Sequence, residues 1–357
     1  MYLSNPQKEE VPMKLQGRSL RSIPATVVAL AIVALPALAA AADKAGIFQK
    51  VLESPRGFAE TTAALEQALA DSPLELIGKS DIAVPDNAQK ARVYVVVSPT
   101  QSAAALASMA PDEVSALIQR IGVYEAYGRV HINIANPEAV ANVYFADEKQ
   151  RDALIAAATA AKQELIQVIR AVPGIPKDEQ QEPARGLKNY RGYNGDGPAK
   201  MMAKFRDFRE SLITVKEVDG AIPAAQLIEQ IKASAAKSAA ADPEKGWQVV
   251  AEKVFSNDLA WVGIQNRYTS LKCININSDF RFGDKKDNTK YPGVDHAPAM
   301  PMELVLYKKG GKWQIAQYGE MWRMQLYFWD SGYAAFAKNT LIPSIIYGDI
   351  EKLVKGE

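Results

Sequence analysis

The chain has only two histidines, His131 and His296, and nine methionines. His296, Met300 and Met302 fall within seven residues, in "HAPAMPM". Met321 and Met324 follow in "EMWRMQLYF", one helical turn apart if that stretch is helical. Imidazole with thioethers is a soft donor set that suits Cu(I), so these five residues are the candidate metal ligands. Haem with His/Met axial ligands uses the same types, but no Cys-x-x-Cys-His attachment sequence occurs. The second half of the chain, to which this stretch belongs, holds every tryptophan, at 247, 261, 313, 322 and 329. Methionine packs well against aromatic rings, so the competing reading is an apolar pocket or core. Trp313, Tyr318, Trp322 and Arg323 are the candidate ligand-binding residues, with Tyr318, Arg323 and Gln317 at the mouth. Aromatic density also marks subunit interfaces, and the sequence does not separate pocket from interface.

Catalysis has thinner support. No Gly-x-Ser-x-Gly, phosphate-cradling loop, dinucleotide fingerprint or His-Glu-x-x-His occurs. His131 sits mid-strand in "RVHINI" and reads as a generic strand residue. Asp284 and Asp287 lie in a lysine-dense loop and read as solvated, without the ligand spacing of a calcium loop. The one cysteine, Cys273, lies in "LKCININ", read as an alternating strand where a buried thiol is inert. No catalytic residue is assigned.

The elements that would position these residues follow from periodicity. "IFQKVLES" reads as a strand, and Ser54-Pro55 announces the helix "GFAETTAALEQALAD". "LELIGKSDI" and "ARVYVVVS" read as strands, and "QSAAALASMAPDEVSALI" as helical with a new turn at Pro111. "RIGVYEAYGRVHINIAN" reads as a hairpin around Tyr127-Gly128, and "EKQRDALIAAATAAKQELIQVIRAV" as a long helix. Residues 173–210 are rich in Pro, Gly and charge without a period, and read as a linker or exposed loop. The pattern then restarts: "SLITVKEVDG" as strand, "AIPAAQLIEQIKASAAKSAAAD" as helix, then "WQVVAEKVF", "AWVGIQNRY" and "LKCININ" as strands.

The restart is a repeat. "VYEAYGRVHINIANPEAVANVYFAD" from Val123 aligns without a gap to "LYKKGGKWQIAQYGEMWRMQLYFWD" from Leu306, at an offset of 183. Six positions are identical: Tyr124/Tyr307, Gly128/Gly311, Ile132/Ile315, Tyr144/Tyr327, Phe145/Phe328 and Asp147/Asp330. They are strand residues, a turn glycine and an aromatic pair on the following helix. The expectation is a first domain over 43–172 and a second, divergent one of the same type over 211–357, with a longer loop before its hairpin. Each is expected to be α+β, an antiparallel sheet with helices packed on one face.

The order of motifs in the first half resembles the domain of unknown function 302 family. The resemblance rests on "SPRGFAET" at the helix start, the strand end Ser98-Pro99, an alanine-rich helix, and the hairpin "VYEAYGRVHINIANP" ending at Asn136-Pro137. It spans roughly residues 48–170, and more faintly the second half through "MPMELVLYKKGGKWQI". It implies a compact α+β domain, often a homodimer, with no established reaction. Many members carry a cysteine before the strand-end proline and another before the hairpin; here Val97-Ser98 and Met302 stand near those places, so thiol chemistry does not carry over.

The rest of the chain bounds the setting. Lys14, Arg18 and Arg21 precede the uncharged "IPATVVALAIVALPALAAAA", with small residues at 37–42. This is the pattern of a secretory signal peptide over 1–42, so a periplasmic or secreted protein is expected. A retained membrane anchor is the rival, at the lower limit of span length and broken by Pro36. The formal charge is +1, without the basic excess that nucleic acid needs. The expectation is an exported, non-enzymatic binding or accessory protein with a small-ligand or partner site in the aromatic-rich second half. The alternatives are a Cu(I)-handling protein and an enzyme of unrecognised type.

Overall fold

In the computed structural model, the described residues are 44–84, 89–180, 185–186, 211–274, 293–319, 322–328, 339 and 341–357. The expected signal peptide lies outside them. Residues 44–357 form one compact unit. Among the described residues no helix is long and apolar enough to cross a membrane.

The first half runs β1 (Phe48–Ser54), α1 (Phe58–Ala70), β2 (Glu75–Ile82), β3 (Ala91–Val97), α2 (Pro99–Ala105), a 3₁₀ turn (Pro111–Leu117), β4 (Ile118–Ala126), β5 (Arg129–Ala135), α3 (Pro137–Tyr144) and α4 (Arg151–Arg170). After an added strand β6 (Ile175–Gln180), the same series returns. It comprises β7 (Leu212–Asp219), α5 (Ala224–Ala241), β8 (Gln248–Ser256), β9 (Leu259–Gln265), α6 (Arg267–Ile274), a 3₁₀ turn (Val294–Ala299), β10 (Met302–Lys309), β11 (Lys312–Tyr318), α7 (Trp322–Tyr327) and α8 (Ile342–Lys355).

Local chemistry explains why the two series match. Ser98 Oγ accepts from Gln101 N at 3.2 Å to cap α2, and Asn266 Oδ1 accepts from Thr269 N at 2.7 Å to cap α6. Tyr127 and Gly128 have φ of 53° and 73°, and Gly310 and Gly311 have 59° and 78°. Positive φ at both central residues makes the tight hairpin turn whose twist suits the flanking strands.

These eleven strands form one antiparallel sheet in the order β6-β1-β5-β4-β3-β2-β8-β9-β10-β11-β7, and Lys44–Ala45 pairs with Arg185–Gly186 in a separate two-stranded one. Leaving β6 aside, the order is a palindrome about the β2–β8 seam. The seam is narrow: Gly78 opposite Ala251 is its one registered pair, and a Cβ on Gly78 would lie 2.2 Å from Val250 O. Only glycine permits that approach.

The long helices cover the outer face of each half-sheet. α1 and α4 bury Leu65, Leu69, Leu165 and Ile169 against Tyr94, Ile121 and Ile132; α5 and α8 bury Leu227, Ile231, Ile346 and Ile350 against Val262, Leu304 and Ile315. The opposite faces of both half-sheets join one shared core. There the 3₁₀ turns exchange places: residues 111–117 pack on β9 and β10, and 294–299 on β3, β4 and β5. Gly122 allows the second contact, because a Cβ there would lie 2.8 Å from Pro298 Cδ.

Two expectations change. Residues 271–274 are helical, not a strand: buried Thr269, Ser270, Cys273 and Ile274 recur at helical spacing behind the Asn266 cap. The stretch read as linker from 173 contributes β6 first. Its polar strand pairs with β1, with Gln49 Nε2 donating to Asp178 at 2.7 Å and Lys50 paired to Glu179 at 3.1 Å, and so blunts the sheet edge.

Candidate functional site

The repeat offset of 183 places Arg120 and Glu303 at the same position of β4 and β10. They meet in the shared core. Arg120 Nη2 lies 2.9 Å from Glu303 Oε1, with side chains 0% and 1% exposed. Equivalent positions of a duplicated unit thus carry opposite charges and pair with each other. Trp261 Nε1 donates to Glu303 Oε2 at 3.1 Å, and Arg120 Nη1 donates to Tyr327 Oη at 3.0 Å.

A third charge breaks the symmetry. Arg323, on α7, donates through Nη1 to Glu303 and through Nη2 to the carbonyls of Ala299 and Pro301. Its guanidinium also lies 4.9 Å from the Tyr327 ring centroid. Its counterpart in the first half is Val140. Burial alone would raise the Glu303 carboxyl, but the field of Arg120 and Arg323, with the hydrogen bond from Trp261, holds it below the usual carboxylate range.

Arg323 and Glu303 also line a half-open cavity of about 60 Å³, bounded by the end of β11 and by α6, α7 and α8. Its walls are mainly apolar: Met302, Met324, Phe328, Ile342, Ile346 and Ile350. Lys272 contributes a second cation. Cys273 lines it too, and burial pushes its thiol up to about 12. Burial likewise sets the Tyr318 hydroxyl well above its ordinary value. Each ionisable wall group with a resolved shift is moved away from proton transfer near neutral pH.

The sequence-predicted residues divide. Tyr318, Arg323, Met302 and Met324 line this cavity. Trp313 does not. It lies five residues before Tyr318 on β11, hence on the opposite face, where it is buried against the outer helices and Nε1 donates to Ile222 O at 2.8 Å. His296 is fully buried, edge-on to Phe48 and Phe328 at ring distances of 5.7 and 5.0 Å. Met300 joins the shared core, while Met302, in phase with Leu304 and Leu306, faces the outer helices. The five expected metal ligands are therefore not gathered: Met302 and Met324 share the cavity, and His296 and Met300 are not among its wall residues. Met321 and the side chain of Trp322 lie outside the described residues. Among the described residues no group of three His, Cys, Asp or Glu is placed to hold a metal ion.

Sequence reasoning missed Arg120, Glu303 and the wall supplied by α8; it read Cys273 as a buried, inert thiol, as found, but not as a wall residue. A signal for the first two was present, since the offset that revealed the repeat aligns an arginine with a glutamate.

No protein-family model matches the chain, and no curated protein matches it. In a comparison with solved structures, the crystal structure of an uncharacterised conserved protein of the DUF302 group from Bacillus stearothermophilus aligns at 16% identity. The match covers 36% of this chain and 99% of that one, with a TM-score of 0.29.

Proposed function

We propose that this is an exported, non-enzymatic binding protein that takes a small apolar ligand into the cavity of its second half. The observation that carries the reading is the contrast with the first half. The residues equivalent to Met302, Tyr318, Arg323 and Met324 are Gln119, Ala135, Val140 and Ala141, all buried, with Leu154 and Ala158 of α4 in the same core. Natural cores are close-packed, so a half-open apolar cavity in one copy of a duplicated unit is a feature with a use. The upward shifts of Cys273 and Tyr318, and the ion-paired state of Glu303, favour binding over catalysis. The signal-peptide pattern before residue 43 supports export to the periplasm or medium. Xenon-pressurised crystals test the site, because a small dry cavity takes up xenon. Density beside Ile346 and Met324 is expected, and it disappears in Ile346→Trp. Xenon absent from the wild-type cavity would remove the reading.

Soft-metal handling is the second reading, now resting on Met302 and Met324, whose side chains line one cavity. Competition with a Cu(I) chelator measures it. Equal Cu(I) retention by the wild type and by the double variant Met302→Leu/Met324→Leu would exclude it.

A further inference from the structure

We infer that the ligand of this cavity is a short-chain carboxylate, its alkyl tail among the isoleucines and methionines and its carboxylate at Arg323. The inference rests on the cavity reading above and adds the charge of the ligand. Three buried groups meet beside the cavity, of which Glu303 and Arg323 are wall residues: Arg120 and Arg323 are positive, Glu303 is negative, and their side chains are 0%, 11% and 1% exposed. Among the described residues, Glu303 is the one carboxylate within ion-pair distance of either arginine. The cluster therefore keeps one positive charge without a counterion in a place where an unbalanced charge is strongly disfavoured.

The donor inventory agrees. Nη1 and Nη2 of Arg323 are engaged, but Nε is buried and has no hydrogen-bond partner among the described residues. Arg323 is itself a cavity wall residue, and Lys272 is a second cation on the same wall. An anion entering beside Arg323 would balance the cluster, and guanidinium suits a carboxylate well. The tail length follows from volume. A cavity of roughly 150 Å³ accepts the six carbons of benzene, so the 60 Å³ here fits a tail of about two or three carbons.

The test compares three ligands of four carbons each on the full chain by isothermal titration: butanoate, 1-butanol and butylammonium. Butanoate is expected to bind about tenfold or more tighter than 1-butanol, the lower end of what a charge-assisted hydrogen bond contributes. Butylammonium is expected not to bind. Equal or tighter binding of 1-butanol would overturn the inference and leave the apolar cavity standing. Binding of none of the three, with xenon present in the cavity, would do the same. Failure of both the titrations and the xenon experiment would remove the cavity reading as well. Ile346→Trp fills the cavity and should abolish butanoate binding; retention of binding in that variant would place butanoate elsewhere and overturn the inference. Thermal unfolding of the variant confirms that it is folded.

Discussion

The two halves of this protein are built from one plan and finished differently. Both have a five-stranded antiparallel unit, two long helices outside and two short helices inside, with capped starts and mirror-image turns in equivalent places. In the first half the inner helix α3 presents Val140 and Ala141, and the core closes over them. In the second, α7 presents Arg323 and Met324, and a cavity opens between α7 and α8. The pairing of Arg120 with Glu303 shows the same divergence in charge. A duplicated unit meeting its copy across an approximate two-fold brings equivalent residues together. Two arginines or two glutamates there would repel in a dry core, whereas opposite signs attract.

The sharpest way to break this comparison is at the charges. Glu303→Gln leaves two buried guanidiniums without a carboxylate and should cost about 3–5 kcal/mol in urea unfolding. Arg120→Met should cost much less, because Glu303 keeps Arg323. Equal losses would mean that Arg323 contributes nothing and that the halves are electrostatically symmetric. Phe145→Ala and Phe328→Ala make the same deletion at equivalent positions. The first should cost about 3–5 kcal/mol in the closed core, and the second should sit at the low end of that range beside an existing void. Gly78→Val tests the seam, where a side chain would overlap Val250 and Ala251; a loss of about 1–3 kcal/mol is expected from the forced shift of β2 against β8.

The Cys273 thiol sharpens the comparison through pH. Its folded value of about 12 lies above the ordinary 9.0, so the folded state holds the proton more tightly. That contribution to stability is complete below pH 9 and is lost as pH rises towards 12. A Cys273→Ala variant should show a flatter stability profile between those values, and native Cys273 should resist alkylation at pH 8. The smallest effect belongs to the turns. Tyr127 holds φ 53° where its counterpart is Gly310, so Tyr127→Gly should stabilise by under about 1 kcal/mol in thermal unfolding.

The elements were largely legible because their signals are local. Alternation placed the strands, Ser54-Pro55 placed a helix start, and glycine turns aligned the two hairpins. The miss at 271–274 arose where a short helix carries isoleucine and cysteine beside asparagines, a pattern that also alternates. Tyr318, Arg323, Met302 and Met324 were singled out by type and spacing, and all four are cavity residues. Trp313 and His296 have the same chemical appeal, but strand parity and packing direct them into cores.

By itself, the sequence determined what depends on near neighbours: the repeat, the turns and caps, and the class of residue on each face of each element. Only the tertiary structure decided what depends on distant partners: that Arg120 meets Glu303 across 183 residues, that Arg323 joins them, and that α7 and α8 line one cavity. The physical reason is range. Backbone preference and amphipathic periodicity act within a turn or two of chain. Charge pairing and cavity shape arise where two faces, each specified separately, are brought into contact by the fold.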